Sequence, residues 1–315
     1  MKPFIVVSDG MEPNCFEKLK NESRFDVHPL PKLQRDELKD LIKKADGLIL
    51  RSKTHADEDL LKEANNLKII IRAGGGTDNI DKEYCKSKGI KVCNTPGANS
   101  NSAAEHAIGL MFSLYKHIPF AHNAMINGHW EKDRYSKGFE LTNKKIGIIG
   151  FGKVGQSIAK LLSGLEPEIL FFDQHFKSES PFSYAKSASF NEIIESCDII
   201  TIHVPKTEET TNLISKNELS KMKPNAILIN CARGGIVNED DLYQSLKNEE
   251  IFGAALDVFN NEPLEKDSKL RSLDNLVLTP HLGASTAEAQ IRVSEMAVEQ
   301  ICSFFINGVV KNQVN

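Results

Sequence analysis

The sequence lacks the features that would mark a membrane-spanning or secreted protein. No apolar run approaches the ~20 residues that a transmembrane helix requires. The first residues lead into Ser8-Asp9-Gly10 without a signal-peptide cleavage pattern. The six cysteines include no Cys-x-x-Cys pair, so we expect reduced thiols. Together these features predict a cytoplasmic protein without a membrane partner.

A strong net charge is also missing. The chain has 39 basic and 43 acidic residues and a net charge of −4, which provides no electrostatic basis for binding nucleic acid or an anionic surface. The nine histidines form no group with metal-ligand spacing. His117, His122 and His129, for example, are too irregular to face one way on a helix. We therefore predict neither a nucleic-acid partner nor a metal.

Short apolar runs alternate with amphipathic segments along the whole chain. Phe4–Val7 and Gly47–Leu50 are two of five such runs in the first part, and six more occur between Lys145 and Thr279. This alternation predicts parallel strands joined by helices, and 315 residues are enough for two domains. We predict an α/β protein with two lobes, residues 1–98 with 286–315 and residues 99–285, the second holding a doubly wound parallel sheet.

Two capping-box patterns predict where long helices begin. Ser102 and Glu105 have this spacing before one apolar periodic segment, and Ser285 and Glu288 have it before the last. Ser285 would cap the final helix, whose predicted core face includes Ile291.

A glycine-rich motif follows the first strand of the second series. Gly150, Gly152 and Gly155 form G-x-G-x-x-G, which is typical of a turn that places a dinucleotide pyrophosphate at a helix N-terminus. Asp173 follows Gly150 by 23 positions, where a carboxylate accepts hydrogen bonds from ribose hydroxyls. Because Gln174 follows it instead of a basic residue, the motif favours NAD over NADP.

Three polar residues follow later strands of the second lobe. Arg233, Glu262 and His281 each come shortly after an apolar run, and α/β sheets bind ligands at the carboxyl ends of their strands. The guanidinium of Arg233 suits a carboxylate. His281 can exchange a proton, and a carboxylate such as Glu262 favours the imidazolium form. The set suits hydride transfer to a 2-oxo acid.

Taken together, the motifs resemble those of the D-isomer-specific 2-hydroxyacid dehydrogenases, most closely the short-form D-3-phosphoglycerate dehydrogenases. They are residues 72–81, 94–105, 150–155, 230–237, 255–259 and 280–286. The resemblance implies a flavodoxin-like substrate domain, an inserted Rossmann NAD-binding domain, NAD as cofactor and a homodimer formed through the cofactor lobes. Longer relatives continue into a serine-binding regulatory domain, whereas this sequence ends at Asn315, so we expect no serine feedback by that route.

The resemblance also implies roles for individual residues. The catalytic set falls on Arg233, Glu262 and His281. The implied cofactor contacts are Gly150, Gly152, Lys153, Val154, Gly155, Asp173, Val204, Pro205, Cys231, Ala232, Asp257, Gly283 and Ala284. The implied substrate contacts are Arg51, Ser52, Gly74, Gly75, Asn99 and Ser100.

These expectations favour NAD-dependent oxidation of 3-phospho-D-glycerate to 3-phosphohydroxypyruvate, the first step of L-serine biosynthesis. The candidates for holding the phosphate are Arg51 with Lys53, or Lys132 with Arg134. One alternative is a glyoxylate or hydroxypyruvate reductase, or another D-2-hydroxyacid dehydrogenase, which needs no phosphate contacts. Another is a non-enzymatic sensor of NAD(H), against which the complete catalytic set argues.

Overall fold

The chain folds as two α/β units in a computed structural model, which describes residues 1–29, 34–176 and 182–315. Unit 1 consists of Met1–Asn99 and Ala284–Asn315, and unit 2 consists of Ser100–Gly283. Unit 2 is therefore inserted between two segments of unit 1.

Unit 1 contains a five-stranded parallel sheet in the order β2-β1-β3-β4-β5, which is the flavodoxin-like order. The strands are β1 (Phe4–Val7), β2 (Asp26–Pro29), β3 (Gly47–Leu50), β4 (Ile69–Arg72) and β5 (Lys91–Asn94). The helices are α1 (Pro13–Lys20), α2 (Arg35–Ile42), α3 (Glu58–Leu61), α4 (Lys82–Ser87) and, from the C-terminal segment, α12 (Ala287–Asn307).

The sheet of unit 1 is buried on both faces. On β1, Val6 belongs to one core cluster, whereas Ile5 and Val7 belong to the other, as the period of two along a strand requires. Ala297 and Ile301 of α12 join the second cluster. The last helix of the chain therefore completes the core of unit 1.

Unit 2 contains a seven-stranded parallel sheet in the order β12-β11-β10-β9-β6-β7-β8. The strands are β6 (Lys145–Ile149), β7 (Glu168–Phe172), β8 (Ala185–Ser187), β9 (Ile199–Ile202), β10 (Ile227–Asn230), β11 (Gly253–Leu256) and β12 (Leu276–Leu278). The helices are α5 (Ser100–Tyr115), α6 (Ile118–Ile126), α7 (Lys132–Tyr135), α8 (Lys153–Leu162), α9 (Phe190–Ser196), α10 (Lys216–Leu219) and α11 (Glu239–Lys247). The order reverses next to β6, as in a doubly wound dinucleotide-binding sheet, and the predicted fold class is confirmed.

The sequence patterns predict six strands in unit 2, but seven strands form. The extra strand, β8, has three residues and lies at the edge of the sheet beside β7. Ala185 is buried while its two successors are exposed. A short edge strand buries too little to leave an apolar run in the sequence.

Two predicted helix starts are wrong. Helix α5 begins two residues before Ser102, whose hydroxyl instead donates to the carbonyl oxygen of Gly283 at 2.8 Å. Helix α12 is capped by Thr286, whose side chain accepts from the Ala289 amide at 3.2 Å, and not by Ser285. Capping-box spacing shows that a hydroxyl can cap, but tertiary contacts decide which one does.

The predicted core face of α12 is also wrong at one position. Ile291 is 41% exposed, whereas Val293, Ala297 and Ile301 are buried. The buried residues repeat every four positions. Residue 291 lies about 200° around the helix from residue 293, on the opposite side.

Two further features of the structure concern membrane-spanning helices and the state of the cysteines. In the parts of the chain that it describes, no helix combines the length and apolar character needed to cross a bilayer. All six cysteines are free thiols. Burial raises the pKa of Cys85 and Cys197 to about 12, so these two thiols stay protonated at neutral pH.

Candidate active site

His281 and Glu262 form a hydrogen-bonded pair on the loops that follow β12 and β11. The Nδ1 atom of His281 lies 2.7 Å from Oε2 of Glu262, and the two side chains are 45% and 37% exposed. Burial disfavours the charged form of Glu262, but hydrogen bonds from His281 and the Phe259 amide outweigh it and lower the pKa of Glu262. The ionised carboxylate engages Nδ1, which leaves Nε2 as the ring nitrogen that can exchange a proton.

Asp257 anchors the loop that carries His281. Its buried carboxylate accepts from the Thr279 hydroxyl at 2.6 Å and from the amides of Leu282 and Gly283 at 2.7 and 2.9 Å. Its backbone oxygen accepts from the His281 amide at 2.9 Å. These bonds hold His281 at φ 56°, a left-handed conformation that is uncommon for a residue other than glycine.

Arg233 stands in a tight loop after β10. Asn230 closes this loop, since its Nδ2 donates to the backbone oxygen of Arg233 and its Oδ1 accepts from the Ala232 amide, both at 3.0 Å. The Nη1 of Arg233 donates to the Ala232 oxygen at 2.6 Å. A Cβ at Gly234 would overlap the carbonyl oxygen of Phe259, so this loop lies directly against the loop after β11. The three predicted catalytic residues thus stand on loops after neighbouring strands.

The glycine turn after β6 fits a dinucleotide. Gly150 has φ 96°, and a Cβ at Gly155 would overlap its carbonyl oxygen. Gly152 has open space where its Cβ would be and precedes α8, which receives no side-chain cap from the described residues. The first amides of α8, beginning with Lys153 and Val154, therefore remain available to an anion.

Asp173 lies at the end of β7, next to this turn. Its Oδ2 accepts from the Phe151 amide at 2.7 Å and its Oδ1 from the His175 amide at 2.9 Å. A carboxylate oxygen can accept more than one hydrogen bond. The fixed carboxylate therefore retains acceptor capacity for hydroxyl groups.

A neutral histidine, for which the sequence carries no motif, also borders the turn. His203 follows β9, and a Cβ at Gly150 would meet its backbone within 2.6 Å. Its Nε2 lies 2.7 Å from the Thr201 hydroxyl, and burial lowers the pKa of His203 to about 3. Val204 and Pro205 continue from it, so this stretch lies at the same edge of the sheet.

A group of metal-ligand side chains lies beside the Asp257 anchor. His106, Cys231 and Asp257 have ligand atoms within 4.8 Å of one another, although the sequence spacing suggests no such group. The Nε2 of His106 lies 3.1 Å from the Thr279 hydroxyl and 3.2 Å from Oδ1 of Asp257. Burial, together with the Asp257 carboxylate, raises the pKa of the Cys231 thiol. His106, Thr279 and Asp257 form a hydrogen-bond network, and the Cys231 thiol lies beside it.

Unit 1 presents the predicted residues Arg51 and Ser52 on a loop after β3. The Asp9 carboxylate accepts from the amides of Arg51 and Thr54 at 2.7 and 3.1 Å. Asn79 donates to the carbonyl oxygens of the same two residues, both at 2.6 Å. The loop is thus fixed at both ends, with Ser52 exposed.

The guanidinium of Arg51 is a candidate anion-binding group. Burial lowers its pKa, an effect that the charge of Asp9 opposes, and arginine remains charged at neutral pH. Among the described residues, none accepts a hydrogen bond from it. At the end of β4, the Arg72 guanidinium lies against Gly74, which Gly75 follows. Arg72 is part of a motif in the sequence but was not among the predicted site residues.

Asn99, Ser100 and Ala284 lie where the chain passes between the units. The Oδ1 of Asn99 faces Gly75, 3.6 Å from where a Cβ would be. Ser100 is the buried first residue of α5. The Ala284 oxygen accepts from Gln290 at 2.8 Å.

Residues 108–283 match the family model described as D-isomer specific 2-hydroxyacid dehydrogenase, NAD binding domain. A D-3-phosphoglycerate dehydrogenase of Archaeoglobus fulgidus is 42% identical over 312 residues, which are 99% of this chain and 59% of that protein. A hydroxypyruvate reductase of Thermotoga maritima is 41% identical over 300 residues, 94% of this chain and 96% of that protein.

A solved structure is also similar to this chain over nearly its full length. The crystal structure of NAD⁺-bound 3-phosphoglycerate dehydrogenase from Entamoeba histolytica matches with a TM-score of 0.84 and 30% identity, covering 100% of this chain and 99% of that one. The chain spans about three fifths of the length of the Archaeoglobus relative. The predicted family and the predicted NAD-binding domain are confirmed.

Proposed function

Because the chain belongs to the D-isomer specific 2-hydroxyacid dehydrogenase family, we propose that it is an NAD-dependent D-3-phosphoglycerate dehydrogenase. It oxidises 3-phospho-D-glycerate to 3-phosphohydroxypyruvate, as the first step of L-serine biosynthesis. The observation that carries the oxidation is the His281–Glu262 pair at 2.7 Å. The six free thiols suit a reducing compartment, and we place the reaction in the cytoplasm.

The catalytic residues divide the work between orientation and proton transfer. Arg233 binds the substrate carboxylate through its planar fork of donors and thereby orients the C2 hydroxyl. The Nε2 of His281 accepts the hydroxyl proton, and the Glu262 carboxylate stabilises the imidazolium that forms. In the reverse direction, the imidazolium returns this proton to the C2 oxygen.

The cofactor is held by unit 2. The amides at the start of α8 bind the pyrophosphate and Asp173 binds the adenosine ribose, with the stretches from Val204 to Pro205 and from Cys231 to Ala232 beside them. Gly283 and Ala284 complete the proposed contacts, and Asp257 contacts the nicotinamide amide. Bound NAD supplies the hydride acceptor.

The substrate phosphate is assigned to unit 1. Arg51 provides a half-buried cation on a fixed loop. The backbone amides that follow Gly74, beginning with Gly75, provide neutral donors, whereas the Gly74 amide donates to the Arg72 oxygen at 2.9 Å. Asn99 and Ser100 complete the proposed substrate contacts. Arg134, one of the other basic candidates, is paired with Glu131 and Asp274 at 3.1 and 3.2 Å, which supports Arg51 over it.

A substrate comparison tests the proposal. With NAD, we expect kcat/KM for 3-phosphoglycerate to exceed that for glycerate or lactate. Arg51→Gln should lower it about 10- to 100-fold through loss of a charge-assisted bond, while turnover of glycerate stays unchanged. Arg35→Gln serves as a control, because Arg35 pairs with Asp57 and Asp59 elsewhere on unit 1. A higher kcat/KM for glycerate would reject the phosphorylated substrate.

A hydroxypyruvate or glyoxylate reductase is the second candidate. The Thermotoga relative with this name matches over nearly its own full length, and the catalytic residues would act in the same way. Turnover of hydroxypyruvate or glyoxylate that exceeds turnover of phosphohydroxypyruvate, with no effect of Arg51→Gln, would select this function.

We expect Asp173 to determine cofactor choice. Asp173→Asn keeps an oxygen for the Phe151 amide but removes the charge that strengthens the ribose bonds. It should therefore raise the Kd for NADH about 10-fold and reduce the preference for NADH over NADPH. Fluorescence titration of both nucleotides measures this, with Gln174→Ala as the neighbouring control. An unchanged Kd in Asp173→Asn would contradict the assignment.

We also propose a homodimer whose interface includes α6. Every residue of this helix is exposed or half-buried, and three of the exposed residues are large and apolar. Ile118, Met125 and Ile126 are 54, 52 and 67% exposed, and Trp130, which follows the helix, is 77% exposed. An apolar patch of this kind is typical of a surface that a partner covers, and a second copy of the chain is the partner that the family resemblance implies.

The dimer is tested by charge. We expect wild-type protein at about 70 kDa in light scattering, twice the 35.0 kDa of one chain. The double variant Met125→Glu and Ile126→Glu should elute as a monomer, because two carboxylates would be buried without partners. Leu161→Glu, at a 40% exposed position on α8, should remain dimeric. A monomeric wild type would refute the interface.

A further inference from the structure

Helix α5 contacts the loop that carries His281 at two points on one face. The Ser102 hydroxyl donates to the Gly283 oxygen at 2.8 Å. One turn later, Nε2 of His106 lies 3.1 Å from the Thr279 hydroxyl and 3.2 Å from Oδ1 of Asp257. Side chains four residues apart share a helix face, so the helix holds the loop from residue 279 to residue 283.

The direction of these hydrogen bonds assigns the proton of His106. The Thr279 hydroxyl donates to Oδ1 of Asp257 at 2.6 Å, so it accepts from His106. The His106 proton on Nε2 is therefore shared between the Thr279 oxygen and Asp257. His106 is the only described side chain of α5 that reaches the carboxylate of Asp257.

The Asp257 carboxylate needs these donors because it is buried. Burial disfavours its charged form, whereas the bonds from His106, Thr279, Leu282 and Gly283 lower its pKa. Two of these partners, Leu282 and Gly283, are the amides that directly follow His281. Loss of a donor to Asp257 should therefore displace the backbone next to His281, the residue that transfers the proton.

We propose that His106 is a positioning residue, which acts through Thr279 and Asp257 to hold His281 in its left-handed conformation for proton transfer. This inference rests on the proposed function, since it concerns the efficiency of that reaction. His106 touches neither the paired Glu262 nor the glycine turn among the described contacts. Because Asp257 is also a proposed cofactor contact, loss of His106 should weaken NADH binding as well, but by less than it lowers kcat.

The test compares two substitutions at this position. His106→Leu removes the donor and keeps an apolar side chain, whereas His106→Gln keeps an N–H donor of similar reach. We expect His106→Leu to lower kcat about 10- to 100-fold, as a displaced reacting group does, with the Kd for NADH changed by a smaller factor than kcat. His106→Gln should recover most of this loss. Ser113→Ala, which removes a hydrogen bond elsewhere on α5, should have no effect.

Amide hydrogen exchange gives a readout that does not depend on the substrate. In His106→Leu, peptides spanning Leu282 and Gly283 should exchange about 5- to 10-fold faster, as expected for loss of about 1 kcal/mol of hydrogen bonding. Unchanged exchange would overturn the proposal, as would wild-type kcat in His106→Leu or equal kcat losses in both variants. If wild-type protein oxidises no 2-hydroxy acid, the proposed function fails, while the exchange experiment still decides whether His106 anchors the loop.

Discussion

Replacing His281 by asparagine is expected to lower kcat by about 10²- to 10⁴-fold, the usual contribution of a positioned acid–base group. Asparagine is the appropriate substitute because it tolerates the left-handed conformation that His281 adopts at φ 56°. The loop should therefore keep its bonds to Asp257, and the Kd for NADH should change less than about 2-fold. Steady-state kinetics and NADH titration measure the two quantities separately.

The partner of His281 provides the matched comparison. Glu262→Gln keeps a hydrogen-bond acceptor within reach of Nδ1 but removes the charge that stabilises the imidazolium, so its loss in kcat should be smaller than that of the asparagine variant. Loss of NADH affinity in His281→Asn, or equal activity in His281→Asn and wild type, would contradict the assigned proton transfer.

Replacing Arg233 by glutamine should lower kcat/KM by about 10²- to 10³-fold. Truncating one member of a buried, hydrogen-bonded charge pair usually changes binding by about 2–5 kcal/mol, and here the unpaired group would be the substrate carboxylate. Arg233→Lys should lie between glutamine and wild type, because an ammonium cannot match the planar fork. Both KM and kcat should change, since a poorly held carboxylate also leaves C2 misaligned.

A second arginine of unit 2 serves as the control for this substitution. Arg271 donates to the carbonyl oxygens of Glu265 and Leu264 at 2.9 and 3.0 Å, so Arg271→Gln should leave kcat/KM unchanged. If Arg233→Gln altered only the Kd for NADH, the guanidinium would serve the cofactor and the carboxylate role would be wrong.

The sequence predicts the sheet of each unit well because the signals are local. Apolar runs such as Gly47–Leu50 and Lys145–Ile149 coincide with β3 and β6, since buried parallel strands must be apolar on both faces. The glycine turn is equally local, because three residues within six positions meet the needs of one turn. The missed strand β8 and the misplaced cap at Ser285 show the limit, since neither is determined by its own neighbours.

By itself, then, the sequence determines the two-lobe α/β fold, the dinucleotide turn and the family, all of which depend on spacing along the chain. Only the tertiary structure decides which side chains of the site meet and which of them are charged. His281 meets Glu262 across 19 positions, and Asp257 meets His106 from a different element of unit 2. Such contacts depend on which strand ends become neighbours and how deeply each group is buried. The same reason makes His203 neutral and Asp257 charged, because burial and hydrogen-bond donors act through space.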